Sequence, residues 1–132
     1  MKSLNCLFVA MLLGLAAGPA TAFDISFTWD GLKSCTNGKP NRVSNPRFEL
    51  KDVPAGTKFI SFKLKDLDVP GFNHGGGTIA YSGQKVVDAG AFKYKSPCPP
   101  DGVHVYQWEA VAKKKKMGGK LAKATARRKY PE

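Results

Sequence analysis

Acidic side chains are scarce in this sequence: ten Asp and Glu face 21 Lys and Arg, for a formal net charge of +11. Histidine occurs twice and cysteine three times. No G-x-S-x-G elbow presents a serine nucleophile, and no G-x-x-x-x-G-K-[ST] loop offers a nucleotide phosphate its cradle. The aspartates and histidines fit no compact spacing of the kind that marks a zinc centre, so no metal is expected. Past residue 22 no stretch is apolar enough to span a bilayer, which takes ~20 residues. No segment repeats. These absences set aside serine hydrolases, P-loop enzymes and repeat scaffolds, and they leave no cofactor to expect.

What is present begins with MKSLNCLFVAMLLGLAAGPATA: one lysine, an apolar run from Leu7 to Ala17, then Ala20-Thr21-Ala22. That is the three-part plan of a secretory signal with an A-x-A cleavage site. The run is too short for a membrane anchor. Cys6 lies inside the signal and not after the cleavage point, which argues against a lipid-modified amino terminus. The expectation is a signal peptide over 1–22, cleavage after Ala22, and a periplasmic or secreted protein of one domain's length. Cys35 and Cys98 then remain. An even pair in an oxidising compartment reads as a disulfide. It would close a loop of about 60 residues and stabilise by roughly 4 kcal/mol in the chain-entropy model.

The positive charge is local. Residues 113–132, KKKKMGGKLAKATARRKYPE, hold nine Lys and Arg and one Glu, so the body 23–112 carries little net charge. This basic C-terminal segment reads either as a solvated, frayed end or as a contact for an anionic membrane surface. Specific nucleic-acid recognition is not expected.

Between these ends the pattern is that of strands. Phe23 to Trp29 alternates apolar and polar residues without a break, the mark of a half-buried strand. Arg47 to Leu50 is a short strand, Val53 to Thr57 a turn, and Lys58 to Asp68 a strand with Ile60, Phe62 and Leu64 on one face. Thr78 to Tyr81 and Lys85 to Val87 read as a hairpin around Ser82-Gly83, and Val103 to Val111 as the last strand. Only residues 113–132 have helical composition, interrupted by Gly118-Gly119. The predicted fold class is mainly β: a β-sandwich-like single domain with little helix, at most one at the C-terminus, and a β-rich ligand-binding body over 23–112.

Two same-face sets carry the chemistry. Counting by twos from Ile60 reaches Asp66 and Asp68, so an apolar face turns doubly acidic unless the strand has already ended in a solvated turn. Carboxylates on a core-facing side are costly unless they are paired or open into a wet pocket. His104, Tyr106 and Trp108 form the second set, a packed cluster or a ligand contact, directly after the stiff loop PCPPDG. His74 sits in a loop beside three glycines. Asp66, Asp68, His74 and His104 could also serve a small hydrolase by acid–base chemistry, and the basic segment could make the chain a charge-driven interaction or inhibitor protein.

DLDVP (66–70), His74 and YKSPCPPDGVHVY (94–106) resemble the phosphatidylethanolamine-binding proteins, also called the Raf kinase inhibitor protein family. The likeness is to their exported bacterial members, whose motifs run D-P-D-A-P, then His-Trp, then Y-G-G-P-C-P-P-x-G-x-H-R-Y. It extends to Cys35-Thr-Asn-Gly, Ser44-Asn-Pro46 and Val53 to Lys58, and so covers nearly the whole of 23–132. With no convincing catalytic motif in the chain, no enzyme is expected; the resemblance implies a β-sandwich-like module with a small pocket for phosphate or a phosphorylated lipid head group. In it Asp66, Asp68 and Pro70 form one wall and His74 another. Ser96 to Cys98 supply a loop whose Cys98 N–H meets the anion, and His104 and Tyr106 form the floor. It further implies a cis peptide at Val69-Pro70. Two carboxylates beside an anion can hold the histidines charged and orient them as donors. The chain departs from the family pattern at Leu67, Gly75 and Val105, which replace a proline, an aromatic and an arginine.

Overall fold

Alternation along the first strand sorts its side chains cleanly: Ile25, Phe27 and Trp29 are buried while Asp24, Ser26 and Thr28 face solvent. The structure, a computed structural model, describes Gly14 and residues 22–132; the rest of the predicted signal segment lies outside the described residues. Strand β1 (Asp24–Phe27) pairs antiparallel with β3 (Phe48–Lys51), which pairs with β6 (Val86–Val87). A second antiparallel sheet runs in the order β5 (Gly76–Ala80), β4 (Phe59–Asp66), β8 (His104–Lys113) and β9 (Lys120–Tyr130). A small third sheet joins β2 (Arg42–Ser44) to β7 (Lys93–Lys95). No helix occurs among the described residues.

The core lies between the three- and four-stranded sheets. Phe48 of β3 stacks on Phe62 of β4 with ring centroids 4.5 Å apart and meets Trp108 of β8 edge-on at 5.2 Å. All three are buried, and truncating an aromatic so placed costs about 3–5 kcal/mol. Ordered pairing fixes where the sheet ends fall. Register sets Asp66, the last residue of β4, opposite Tyr106, and β8 begins two residues earlier at His104. One end of the four-stranded sheet therefore carries an acid, a histidine and a tyrosine together.

Two expectations are corrected. The helical segment expected near the C-terminus is β9, a long strand paired with β8 and neither helical nor frayed. Alanine and lysine favour helix in isolation, but Ala122, Ala124, Ala126, Arg128 and Tyr130 fall on one face at period two. Ala126 stands opposite Trp108, and Ala124 opposite Ala110. Small residues there let β9 close over a large indole, and tertiary packing overrides propensity. Gly118 and Gly119 take positive φ, 92° and 65°, in the turn that reverses the chain. The hairpin expected over 78–87 is also absent: β5 pairs with β4 while β6 pairs with β3, so the chain crosses from one sheet to the other at Ser82-Gly83. The two runs alternate as hairpin arms would, but their apolar faces are claimed by different sheets.

Candidate functional site

Asp66 completes the inward face begun by Ile60, Phe62 and Leu64 and is only 4% exposed. Its carboxylate is fully engaged. Oδ1 accepts the backbone N–H of Asp68 at 2.9 Å and of Val69 at 3.2 Å, and Oδ2 accepts Nδ1–H of His104 at 2.7 Å. Burial pushes the carboxyl up, but the bonds from His104, Asp68 and Val69 outweigh it and hold Asp66 below its usual value. The acid is thus an ionised hub that shapes a turn on one oxygen and aims a histidine with the other.

That turn answers the cis expectation. Val69-Pro70 is trans, and the cis bond among the described residues is Tyr130-Pro131. Reversal after the acidic pair comes from the side-chain acceptance at Asp66 and from Phe72 N–H bonding to the Val69 carbonyl at 3.1 Å, a turn chemistry that aspartate supplies without a cis proline. Asp68 lies past the strand end and is exposed. Its Oδ2 accepts the N–H of Val105 at 2.7 Å, tying the 67–70 turn to the start of β8.

His74 is buried, and its Nδ1 lies 2.8 Å from the Lys95 carbonyl. A carbonyl only accepts, so Nδ1 carries the hydrogen and Nε2 is left free. Burial lowers the His74 pKa, against the opposing pull of the Lys95 carbonyl and the Asp66 charge. Burial thus favours the neutral ring, where the two carboxylates were expected to be able to hold it charged. His104 stacks over Tyr106 at 6.2 Å, and His74 meets Tyr106 edge-on at 5.5 Å. Burial first, then the Asp66 charge, push the Tyr106 phenol far up, so its hydroxyl stays protonated. The backbone N–H of Cys98 bears on the same hydroxyl and pulls the other way.

The proline loop is fastened at its start. Cys98 is disulfide-bonded to Cys35. The Ser96 N–H donates to the Asn41 carbonyl at 2.8 Å, and Ser96 Oγ accepts the Asn41 N–H at 3.0 Å. Tyr130 then closes the clasp, its hydroxyl accepting the Cys35 N–H at 2.7 Å.

These elements enclose a cavity of about 220 Å³. Of the candidate site residues, Asp66, His74, Cys98, His104 and Tyr106 line it, together with Pro99 and Pro100. Gly38, Pro40, Val69 and Phe72 complete the walls and were not anticipated. Only Phe72 left a signal in sequence, as a lone aromatic in a glycine-rich loop. Its ring lies edge-on to His74 at 4.6 Å, and the Lys95 ammonium sits 5.6 Å above its centroid, so an aromatic bears on His74 although Gly75 stands where the family pattern has one. Asp68, Pro70 and Ser96 do not line the cavity. Ser96 instead borders a broader cleft of about 620 Å³ beside Trp29, Leu32 and Tyr94. No lysine or arginine lines the smaller cavity. Asp66, Asp68 and His104 each offer a ligand atom within 4.8 Å of the others. A cation there would compete with the His104 proton that already bridges to Asp66.

No family model matches the sequence, and no curated protein matches it. Among solved structures, one described as a phosphatidylethanolamine-binding protein homologue from Chlamydia trachomatis superposes with a TM-score of 0.60 at 19% identity. The match covers 86% of this chain and 99% of that one. Set beside the two-sheet core and the strand-end cluster of Asp66, His104 and Tyr106, this likeness establishes that the chain has the phosphatidylethanolamine-binding-protein-like fold.

Proposed function

We propose that the cavity bounded by Asp66, His74, Cys98, His104 and Tyr106 binds a small phosphorylated ligand, either a free phosphomonoester or a phospholipid head group such as phosphoethanolamine. The observation that carries the reading is the 2.7 Å bond from His104 to Asp66. It fixes the imidazole so that a protonated ring has its counterion behind it and its Nε2–H in front. The Tyr106 hydroxyl, on which the Cys98 N–H bears, adds a neutral donor, and charge-assisted bonds to phosphate oxygens are about twice as strong as neutral ones. At about 220 Å³ the space is below the ~300–1,000 Å³ of drug-sized sites, which suits a phosphate or short head group and excludes acyl chains. Proline-stiffened walls hold the donors before the ligand arrives, which lowers the ordering cost of binding.

Titration calorimetry with phosphoethanolamine and inorganic phosphate tests this. Wild type should bind, and His104→Ala should weaken binding at least tenfold. Equal affinity of the two proteins, or no heat from either, overturns the assignment. A second reading is favoured by the same pair: an Asp–His couple with a free Nε2 can act as a general base, which would make the site a small hydrolase. The cavity offers no hydroxyl nucleophile other than the Tyr106 phenol, and its sulfur is in the disulfide, so the binding role is preferred. Turnover of generic phosphate or carboxylate esters, with and without chelator, decides between them.

A further inference from the structure

The far end of the four-stranded sheet is unlike the rest of the surface. The β8–β9 turn, residues 114–119, is a closed loop in which Lys114 N–H donates to the Gly119 carbonyl at 2.8 Å. At its apex Met117 is 86% exposed, the most open large apolar side chain among the described residues. Lys114, Lys115, Lys116 and Lys120 surround it, all exposed. The five ion pairs among the described residues use Arg47, Lys65, His104, Lys123 and Arg128. No cation of the turn has an acidic partner among the described residues. An apolar apex inside a collar of unpaired ammonium groups, carried on a long paired hairpin, is a specific combination.

We propose that this turn docks the protein on a bilayer containing anionic phospholipid, with the lysines against head-group phosphates and Met117 in the interfacial layer. Charge alone would suit any polyanion. Met117 decides the class, because an apolar side chain gains by leaving water for the acyl boundary and gains nothing on a phosphodiester chain. The turn also presents no aromatic side chain on which a nucleic-acid base could stack. The proposal is independent of the cavity, whose lining residues lie at the opposite end of β8.

The test is co-sedimentation of the protein with phosphatidylcholine vesicles, with and without phosphatidylglycerol, and binding to a single-stranded DNA oligonucleotide in parallel. Wild type should bind the anionic vesicles, release them in salt, and ignore pure phosphatidylcholine. A basic residue near an anionic surface is worth about 1 kcal/mol, so replacing Lys114, Lys115 and Lys116 by Gln should lower partitioning on the order of a hundredfold. Met117→Gln keeps every charge and should weaken vesicle binding several-fold while leaving DNA binding unchanged. All four positions are exposed, so folding of the variants can be verified by unchanged thermal melts. Absence of binding to anionic vesicles overturns the proposal. So does Met117→Gln binding vesicles as wild type does, which would make the turn a general polyanion contact, as would tighter binding to DNA than to vesicles.

Discussion

His104 Nδ1 lies 2.7 Å from Asp66 Oδ2, joining the first residue of β8 to the last residue of β4. The same carboxylate closes the turn at Asp68 and Val69, so one buried acid serves stability and orientation together. Asp66→Ala should destabilise the protein by about 2–4 kcal/mol, because it strands two backbone donors and one imidazole. Asp66→Asn should cost less stability yet still weaken phosphoethanolamine binding, since an amide does not supply the counterion. Because the folded carboxyl titrates below its ordinary value of 3.8, its stabilisation is complete above that value and is lost as pH falls through the lower folded one. Urea midpoints measured from above pH 3.8 down past the folded value should therefore drop more steeply for wild type than for Asp66→Asn; parallel curves refute the linkage.

His74 gives a window at higher pH. Its folded pKa is lowered from 6.5, so the unfolded chain takes up the proton first as the solution is acidified. Stability from the neutral ring is complete above 6.5 and declines from there down to the folded value. His74→Gln should remove that slope from the urea midpoint. A slope unchanged in the variant would place the titrating group elsewhere.

The Cys35–Cys98 bond spans 63 residues. The chain-entropy model assigns such a closure about 4 kcal/mol. Reduction, or Cys35→Ser with Cys98→Ser, should lower stability by close to that amount and should also weaken ligand binding, because Cys98 is part of the cavity wall. Chemical denaturation and calorimetry on the double variant read both effects. Full binding by a reduced protein that is still folded would show that the wall stands without its tether.

Gly76 and Gly77 are required by space. A Cβ at Gly76 would overlap the Phe62 carbonyl oxygen, and one at Gly77 would lie 2.5 Å from Cβ of Phe92. Either alanine variant should destabilise by about 1–3 kcal/mol through forced backbone movement. Gly83→Ala meets no neighbour but sits at φ 98°, so its cost should come from backbone strain alone. Thermal melts that rank Gly76→Ala no worse than an exposed substitution would count against this packing.

Much of this was legible where one local rule acts alone. Strand β4 shows its period in Ile60, Phe62 and Leu64, and the turn of an apolar face to acid at Asp66 is visible in the same count. The parity count went one step too far. Asp68 continues the numbering but not the strand, and its carboxylate serves a backbone N–H. Ser96 and Pro70 belong to recognisable motifs, yet the first fastens a loop and the second stands outside the cavity. What stayed hidden depends on distant partners. Strand β9 reads as helix until Trp108 is known to lie opposite Ala126. The three-residue strands β2 and β7 carry too few side chains to show a period. Gly38 and Pro40 become walls only because the disulfide carries their loop across to Cys98.

Strand β8 has ten residues, with His104 at the cavity and Lys113 at the basic turn. At roughly 3.3 Å per residue it separates the two by about 30 Å. The Debye length at physiological ionic strength is about 8 Å, so the field of the lysine cluster has decayed through more than three such lengths before it reaches the cavity. The charge of the turn therefore does little to draw an anion inward, and any such pull comes from cations at the cavity's own end of the sheet, such as Lys95 over Phe72 and Lys129 opposite Val105. If both proposals hold, raising the salt concentration should release the turn from anionic vesicles long before it releases phosphoethanolamine from the cavity.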